Sequence, residues 1–357
     1  MKSFETNKIF LEDLLEGIVK DLDSSIRKLP ISNLTVDSRE VNKGSIFFAL
    51  EGNSQDGNYF IDEALSKGAS IILSDKLRNK EKNVIFIPNL KKIVGKISSR
   101  FYGDPSKEME TFLVTGTNGK TTCVEMLSKI IKLLGKKSGY ISTIGNSLEE
   151  ENLKKKENLT TPDSIELQRL LFEMRKKDTE IVVVEASSHG LHQSRLQGIK
   201  VDTAILTSFS QDHLDYHKNI DNYAKAKKRL FIDLKPNVSI LNIDNKFGSA
   251  LYKELKLKKE RRKVFSLSNK EAADFEYTFS RDSEGSILVN LSSSFGSHYF
   301  TLNTVSSALA SNVVCAVASL LVKGIELSEV YPLFKDVKFP KGRMELISIN
   351  SKDKCFV

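Results

Sequence analysis

The chain has 357 residues, of which 40% are hydrophobic and 28% are charged, as in a folded globular protein with room for two or three domains. No run approaches the roughly 20 apolar residues of a transmembrane helix, and the N-terminal segment lacks the apolar core of a signal peptide. We therefore expect a cytoplasmic protein without membrane insertion. The three cysteines, Cys123, Cys315 and Cys355, lie far apart, which argues against a disulfide framework and a zinc site.

The net charge of +8 comes largely from lysines, some of them in short runs such as residues 154–156 and 256–263. Acidic residues interrupt the basic stretches, and no aromatic stacking pattern or known nucleic-acid-binding motif accompanies them. We interpret these runs as solvated helix faces and expect no nucleic-acid partner. The same charge would attract anionic substrates such as nucleotides.

Residues 1–105 have the pattern of a small α/β domain. Short strand-like pieces occur at Ile46–Leu50, Ser70–Leu73 and Val84–Ile87. Residues 102–106 carry the turn chemistry of a linker, which predicts a domain boundary there.

A glycine-containing loop follows the next predicted strand, Thr111–Val114, and precedes a segment with helical apolar spacing at residues 122–134. It reads Gly116-Thr117-Asn118-Gly119-Lys120-Thr121-Thr122, a short G-x-x-G-K-T form of a phosphate-binding loop. The glycines would let backbone N–H groups face a polyphosphate, Lys120 would reach the β- and γ-phosphates, and the Thr121 hydroxyl would bind Mg²⁺. A plain glycine-rich turn needs no Lys-Thr pair, so the loop predicts nucleotide binding.

Residues 106–338 alternate between strand and helix patterns. Apolar runs at Ile181–Val184, Ala204–Thr207 and Val238–Leu241 suit parallel strands covered on both faces. A hairpin-rich insert is predicted from Phe275 to Leu291, and a buried helix from Ala308 to Val322. These patterns predict an α/β protein whose second domain has a mainly parallel sheet with helices on both faces.

Several polar residues follow predicted strands or precede predicted helices, but each is a weak signal alone. Glu185 ends a strand and suits a second Mg²⁺ ligand beside Thr121, although a loop or capping acid is the alternative. His213 lies in the loop after another strand, where a metal or phosphate role and a structural role are equally open. Lys227 lies in an amphipathic helix, where a solvated basic face is the simplest interpretation, and Arg195 could grip a carboxylate.

Together, these motifs occur in the order found in one enzyme family. They are Asp37-Ser-Arg39, Gly44–Leu50, Gly52–Gly57, Thr115–Thr121, Thr160-Thr-Pro-Asp163, Glu185-Ala-Ser-Ser-His189-Gly, Asp212-His-Leu-Asp-Tyr-His217, Tyr223-x-x-Ala-Lys227-x-x-Leu-Phe231 and Gly342-Arg-Met-Glu345. The chain resembles the Mur ligases over essentially its whole length. The Thr-Thr-Pro-Asp and Asp-His-Leu-Asp-Tyr-His pieces favour the MurE branch, which adds the third amino acid to UDP-N-acetylmuramoyl-L-alanyl-D-glutamate.

The resemblance implies an ATP-dependent ligase of peptidoglycan-precursor synthesis that uses two Mg²⁺ ions. The γ-phosphate of ATP passes to the substrate carboxylate, and the amine of L-lysine or meso-diaminopimelate attacks the acyl phosphate. Thr121 and Glu185 would hold one ion, while His213 and a CO₂-derived carbamate on Lys227 would hold or orient the other. Because only a neutral amine reacts with CO₂, Lys227 should be partly buried with a lowered pKa.

The resemblance also implies the remaining site residues and a monomeric protein. The expected catalytic residues are Lys120, Glu185, His213 and Lys227. The expected ATP-binding residues are Gly116, Thr117, Asn118, Gly119, Lys120, Thr121, Thr122, Asn312 and Arg343. The expected substrate-binding residues are Ser38, Thr160, Thr161, Ser187, Gln193, Arg195 and carboxylated Lys227.

The chain departs from the family pattern in three places, one of which is Thr207–Gln211, where Asn-Leu-Thr-Arg is more usual. Ser306–Leu309 replaces the usual Gly-x-Phe-Asn before Asn312, which puts an adenine contact in question. Residues 339–357 match only the start of a C-terminal Rossmann-like domain that selects the amino acid. We therefore expect these 357 residues to bind nucleotide and UDP-substrate weakly and to form the amide poorly or not at all. The alternatives are another ligase of the superfamily, such as MurF or a folylpolyglutamate synthetase, and a catalytically silent nucleotide-binding fragment.

Overall fold

The computed structural model describes residues 9–52, 55–77, 82–143, 145–148, 151–153, 159–258, 261–283, 285–339, 346–348 and 354–356. The chain divides into two compact units. The first contains residues 1–105 together with 163–172 and 193–199, and the second contains residues 106–162, 173–192 and 200–357. Within the described residues, no helix is both long and apolar enough to cross a bilayer.

The first unit is built on a parallel sheet. Its elements are β1 (Ile9–Phe10), α1 (Leu11–Leu15), β2 (Pro30–Ile31), β3 (Asn33–Thr35), β4 (Ser45–Ala49), α2 (Ile61–Ser66), β5 (Ile71–Ser74), β6 (Val84–Phe86) and α3 (Val94–Phe101), with 3₁₀ turns at Ser38–Glu40, Gly57–Phe60 and Leu90–Lys92. Four strands pair in the order β3-β4-β5-β6, all parallel, and β1 pairs with β2 antiparallel. Alternate residues of β4 enter two different apolar clusters, because successive side chains of a strand point to opposite faces.

The predicted strands of this unit lie within one or two residues of the observed ones. The two later segments, 163–172 and 193–199, were predicted to belong to the second domain, whereas they form part of the first compact unit. Residues 193–199 belong to the first unit because they pack against the backbone of Gly95 in α3. A Cβ on Gly95 would lie 2.0 Å from the carbonyl oxygen of Gln197, and one on Gly198 would lie 2.1 Å from the carbonyl oxygen of Gly95.

The remaining long elements follow residue 105, most of them in the second unit. They are β7 (Glu110–Thr115), α4 (Lys120–Leu133), β8 (Ser138–Ser142), β9 (Gly145–Leu148), β10 (Glu151–Leu153), α5 (Ser164–Lys176), β11 (Ile181–Glu185), α6 (Ser188–His192), β12 (Thr203–Leu206), α7 (Leu214–His217), α8 (Ile220–Ile232), β13 (Val238–Asn242), α9 (Lys246–Leu257), β14 (Lys263–Ser268), β15 (Phe275–Arg281), β16 (Ile287–Ser293), β17 (Gly296–Leu302) and α10 (Ser307–Leu321), with 3₁₀ turns at Pro105–Lys107 and Tyr331–Asp336. The first two turns of α5 fall in the segment that packs with the first unit.

The sheet of the second unit has the strand order β10-β9-β8-β11-β7-β12-β13-β14-β15-β16-β17. Every pair from β8 to β15 is parallel, and the pairs at both edges are antiparallel. The central strands are buried on both faces: Phe112, Leu113 and Val114 of β7 are all fully inaccessible. This arrangement confirms the predicted α/β fold. The predicted hairpin insert is a continuation of the same sheet, since β15 pairs with β14.

The position of β7 determines where the functional site lies. Its neighbours are β11 on one side and β12 on the other, and the chain leaves β7 toward β8 before returning to β11 and later to β12. Such a reversal of strand order opens a crevice at the carboxyl ends of the strands, where α/β sheets bind ligands. The loops after β7, β11 and β12 therefore converge. Farther along the chain, β18 (Leu346–Ser348) pairs antiparallel with β19 (Lys354–Phe356).

Because the backbone at Gly95 packs closely against residues 197 and 198, we expect alanine to destabilise the protein at a helix position where it would normally stabilise it. Alanine is normally favoured over glycine inside a helix by about 1 kcal/mol. At Gly95 of α3 we expect Gly95→Ala to lower the free energy of unfolding by about 1–3 kcal/mol, the usual cost of overpacking, because the new methyl group would overlap the Gln197 carbonyl. Urea denaturation, with Lys96→Ala on the same helix as the control, measures the difference. A Gly95→Ala protein as stable as the wild type would contradict this packing.

Candidate active site at the carboxyl edge of the sheet

The loop between β7 and α4 has the geometry predicted for a phosphate-binding loop. Gly119, the residue before α4, has φ +85°, and a Cβ there would lie 2.1 Å from Oδ1 of Asn312. Only glycine permits this backbone conformation and the close approach of Asn312 without strain. Lys120 begins α4, and its Nζ donates to the carbonyl oxygens of Gly116 and Thr117, each at 3.0 Å.

The loop after β12 holds the phosphate-binding loop in place. The Thr117 hydroxyl donates to the carbonyl oxygen of Ser210 at 3.0 Å and accepts from the Ser210 N–H at 2.9 Å. The Asn118 N–H donates to Ser208 Oγ at 3.0 Å, while the Asn118 carbonyl accepts from Thr207 Oγ1 at 2.6 Å. Ser208 and Ser210 were not predicted as site residues, because their contacts with the loop depend on the return of β12 beside β7.

Glu185 is the last residue of β11 and is 1% exposed. Its Oε2 accepts from the hydroxyl of Thr121 at 3.1 Å, so the two residues predicted to share a magnesium ion are adjacent. The same oxygen also accepts from both the N–H and the hydroxyl of Thr143, each at 3.1 Å. Thr143 was not predicted from the sequence. It comes directly after β8, at the carboxyl end of a parallel strand, where ligand-binding residues are expected.

Three predicted substrate-binding residues lie beside Glu185. Thr161 Oγ1 donates to the Glu185 carbonyl oxygen at 2.7 Å and lies 2.9 Å from Ser187 Oγ. Thr160 Oγ1 lies 3.0 Å from Thr143 Oγ1. The structure therefore places hydroxyls on both the carboxylate and the backbone carbonyl of Glu185.

Lys227 is not on a solvated face, contrary to the simplest interpretation of its helix. It lies in α8, is 1% exposed, and its Nζ donates to the Gly116 carbonyl oxygen at 2.6 Å. Burial and the neighbouring Lys120 amine hold the pKa of Lys227 well below its ordinary value, with Asp212 and Glu185 opposing them. The expectation of a buried lysine with a lowered pKa is confirmed.

Tyr223, one turn before Lys227 on α8, links that amine to the phosphate-binding loop. The face of its ring lies 4.5 Å from Lys227 Nζ, and its hydroxyl donates to Thr117 Oγ1 at 3.1 Å. Burial raises the pKa of Tyr223 to about 12, so the phenol remains a hydrogen-bond donor at neutral pH.

The Asp212–His217 motif forms part of a cluster of histidine rings. His213 has φ +52°, a half-exposed side chain and an Nε2 that lies 3.4 Å from Asp212 Oδ2. The ring of His213 lies 5.0 Å from that of His189 and 6.2 Å from that of Tyr223. The ring centroid of His217 is 5.5 Å from that of His189 and 5.3 Å from that of Tyr223.

The remaining predicted site residues belong elsewhere. Ser38, Gln193 and Arg195 are in the first unit: Ser38 Oγ donates to Glu63 Oε2 at 3.0 Å, and the Arg195 guanidinium donates to Gln193 Oε1 at 2.7 and 3.1 Å. Thr122 is buried in the first turn of α4. Arg343 lies outside the described residues.

The side chains at this edge supply part of the coordination shell expected for magnesium. Thr121 and Glu185 present the hard oxygen ligands that Mg²⁺ prefers, and Mg²⁺ usually takes only one or two carboxylates, with phosphate and water completing its shell. In the part of the chain that the structure describes, no three His, Cys, Asp or Glu side chains converge as metal ligands. Thr121 and Glu185 therefore fit one ion held mainly by phosphate oxygens, and Lys227 would fit a second ion only as an anion.

His217 generates a prediction about pH and stability. Burial, followed by the charges of His189, His192, His213 and Lys227, lowers its pKa from 6.5 to about 4. Between pH 6.5 and 4 the unfolded chain binds a proton at His217 that the folded chain does not bind. The free energy of unfolding should therefore fall as the pH drops from about 6.5 to 4, by at most about 3 kcal/mol.

The test compares the wild type with His217→Gln in chemical denaturation at a series of pH values, with Lys253→Gln, at an exposed position of α9, as a control. We expect the difference in unfolding free energy between wild type and His217→Gln to change across this window, while Lys253→Gln follows the wild type. Parallel curves for wild type and His217→Gln would show that His217 is not held neutral.

Comparison with known proteins finds family matches over most of the chain. The family profile "Mur ligase middle domain" matches residues 114–320, and "Mur ligase family, catalytic domain" matches residues 30–115. Two relatives are UDP-N-acetylmuramoyl-L-alanyl-D-glutamate--2,6-diaminopimelate ligases. The one from Bacteroides thetaiotaomicron is 32% identical over 94% of this chain and 70% of its own length. The one from Buchnera aphidicola is 34% identical over 97% of this chain and 71% of its own length.

Solved structures agree with this similarity. A UDP-N-acetylmuramoyl-L-alanyl-D-glutamate--2,6-diaminopimelate ligase superposes with a TM-score of 0.86 and 26% identity, covering 96% of this chain and 70% of that one. MurF ligase from Thermotoga maritima, solved with ADP, shares the fold with a TM-score of 0.59 at 18% identity, covering 88% and 68% of the two chains. With the profile matches and relatives above 30% identity, these results show that the chain belongs to the Mur ligase family.

Proposed function

We propose that the protein is an ATP-dependent ligase acting on UDP-N-acetylmuramoyl-L-alanyl-D-glutamate in the cytoplasm, with diaminopimelate as the incoming amine. The names of the relatives support both substrates. The observation that carries the proposal is the convergence of the glycine loop, Glu185 and the buried Lys227 at one edge of the parallel sheet. A nucleotide-binding protein without ligase chemistry has no need of the last of these.

In this proposal, each residue of the convergence has a separate task in phosphoryl transfer. The loop N–H groups and the start of α4 bind the polyphosphate, and Lys120 exchanges the carbonyls of Gly116 and Thr117 for phosphate oxygens. Thr121 and Glu185 would hold magnesium, and Asn312 lines the glycine loop. When bound, Mg²⁺ neutralises phosphate charge and lets two anions, the triphosphate and the substrate carboxylate, approach one another.

Lys227 contributes as an N-carboxylated side chain. Its neutral amine attacks CO₂, a C–N bond forms, and one amine proton leaves to solvent, so that a neutral group becomes an anion. Burial keeps the amine neutral and therefore able to react, and the positive charge of Lys120 would stabilise the carbamate. His213, on the neighbouring loop, is the proposed partner of this carbamate in orienting the second magnesium ion.

The substrate side of the site is proposed from the remaining matches. Thr160, Thr161 and Ser187 surround Glu185 and present hydroxyls that suit the sugar–peptide portion of the substrate. In the first unit, the Arg195 guanidinium, steadied by Gln193, suits a carboxylate, and Ser38 suits the uridine end. We propose residues 1–105, together with 163–172 and 193–199, as a UDP-substrate domain and the rest of 106–338 as the ATP-binding domain.

The proposal is tested by the phosphoryl-transfer half of the reaction. The purified chain is incubated with ATP and Mg²⁺, and ADP formation is followed with and without UDP-N-acetylmuramoyl-L-alanyl-D-glutamate, in the absence of any amine. We expect ADP formation to depend on the UDP-dipeptide and to increase with added bicarbonate. Stimulation by a dihydrofolate or dihydropteroate instead, or by neither acceptor, would overturn the proposal.

Variants of two lysines on α8 make this test specific. Lys227→Ala should lower the UDP-dipeptide-dependent rate by about 100-fold or more, the loss typical of removing a group that stabilises transition-state charge. Lys225→Ala, an exposed lysine on the same helix, should leave that rate unchanged. Equal rates for the two variants would show that Lys227 takes no part in phosphoryl transfer.

A further inference from the structure

The carboxylate of Glu185 is held by a residue outside the set that the family motifs predict. Its Oε2 accepts three hydrogen bonds at 3.1 Å, one from Thr121 and two from Thr143. Thr143 follows β8, which lies beside β11 in the sheet, so its N–H and hydroxyl both reach the end of the neighbouring strand. Two bonds from one residue fix both the position and the plane of a carboxylate better than one bond can.

The direction of the hydrogen bonds around Thr143 follows from its single hydroxyl proton. An ionised carboxylate can only accept, so the Thr143 hydroxyl gives its proton to Glu185. The structure also places Thr143 Oγ1 as the donor to Thr160 Oγ1 at 3.0 Å, which is an alternative position for the same proton. The Thr143 hydroxyl therefore contacts both the Glu185 carboxylate and the Thr160 hydroxyl.

We propose that Thr143 is a positioning residue that orients the Glu185 carboxylate toward magnesium and ties that orientation to Thr160 on the substrate side. The inference rests on the proposed function, because it assumes that Glu185 holds the ion. Thr143 touches neither reacting group in this scheme and acts through Glu185. Losing its hydroxyl leaves the N–H bond to Oε2 but frees the carboxylate to rotate, and it removes the donor to Thr160 Oγ1.

Three variants test the role of the hydroxyl. Thr143→Val removes it and keeps the shape, Thr143→Ala removes it with a smaller side chain, and Thr143→Ser restores it without the methyl group. The side chain is exposed, so the substitutions disturb little packing, and urea denaturation checks that each variant folds. If Thr143→Val is unfolded, Thr143→Ala provides the same comparison.

The measurement is calorimetric binding of a non-hydrolysable ATP analogue, with excess Mg²⁺ and with EDTA. In EDTA the glycine loop and Lys120 dominate, so wild type and variants should bind alike. With Mg²⁺ the hydroxyl-free variants should bind about tenfold more weakly than wild type, as expected for a lost hydrogen bond to a charged group, and Thr143→Ser should return to the wild-type affinity. A merely structural role would weaken binding equally in both conditions.

The outcomes separate this inference from the proposed function. Wild type without any Mg²⁺-dependent gain in affinity would overturn the proposed metal site and the inference with it. A clear gain in wild type that Thr143→Val and Thr143→Ala retain in full would overturn the role of Thr143 alone. Equal losses in Thr143→Ser and Thr143→Val would do the same, because the hydroxyl would then not be the operative group.

Discussion

The site depends on the charges of two lysine side chains that meet at the carbonyl oxygen of Gly116. That oxygen accepts from Lys227 Nζ at 2.6 Å and from Lys120 Nζ at 3.0 Å, so two basic side chains meet at one backbone group. Burial of Lys227 and, after it, the neighbouring Lys120 amine hold the pKa of Lys227 well below its ordinary value. The protein thus holds a buried lysine amine against the loop that is proposed to bind ATP.

The order of strands brings these groups together from distant parts of the chain. Because β7 lies between β11 and β12, the glycine loop meets Glu185 on one side and the Ser208–His213 loop on the other. Helix α8 then places Tyr223 and Lys227 against the loop, with the tyrosine hydroxyl bonded to Thr117. The hydroxyls around Glu185 extend the same arrangement toward Thr160 and Thr161. The glycine loop thus contacts residues that follow other strands of the sheet. These contacts require the strands to be paired in this order.

Local sequence was sufficient to predict a site residue where a recognisable backbone pattern and a reactive or charged side chain occur at the same position. Gly119 and Lys120 were predictable because a glycine turn that opens a helix has few alternatives, and Glu185 because it ends an apolar strand. Lys227 was different: its helix alone favours a solvated face, and only the family resemblance predicted burial, since the groups that bury it lie about a hundred residues earlier. Thr143 was missed for a similar reason, because its bond to Glu185 requires β8 and β11 to be neighbours. The attachment of residues 193–199 to the first unit depends on backbone packing at Gly95, which no periodicity reveals.

The most direct measurement of the central claim is ¹³C NMR of the protein in ¹³C-labelled bicarbonate. If the amine beneath the glycine loop is carboxylated, a carbamate carbonyl resonance should appear in the wild type and be absent from Lys227→Met, while Lys225→Met retains it. No carbamate resonance in the wild type, or an identical one in Lys227→Met, would contradict the proposal that this buried lysine serves as an anion.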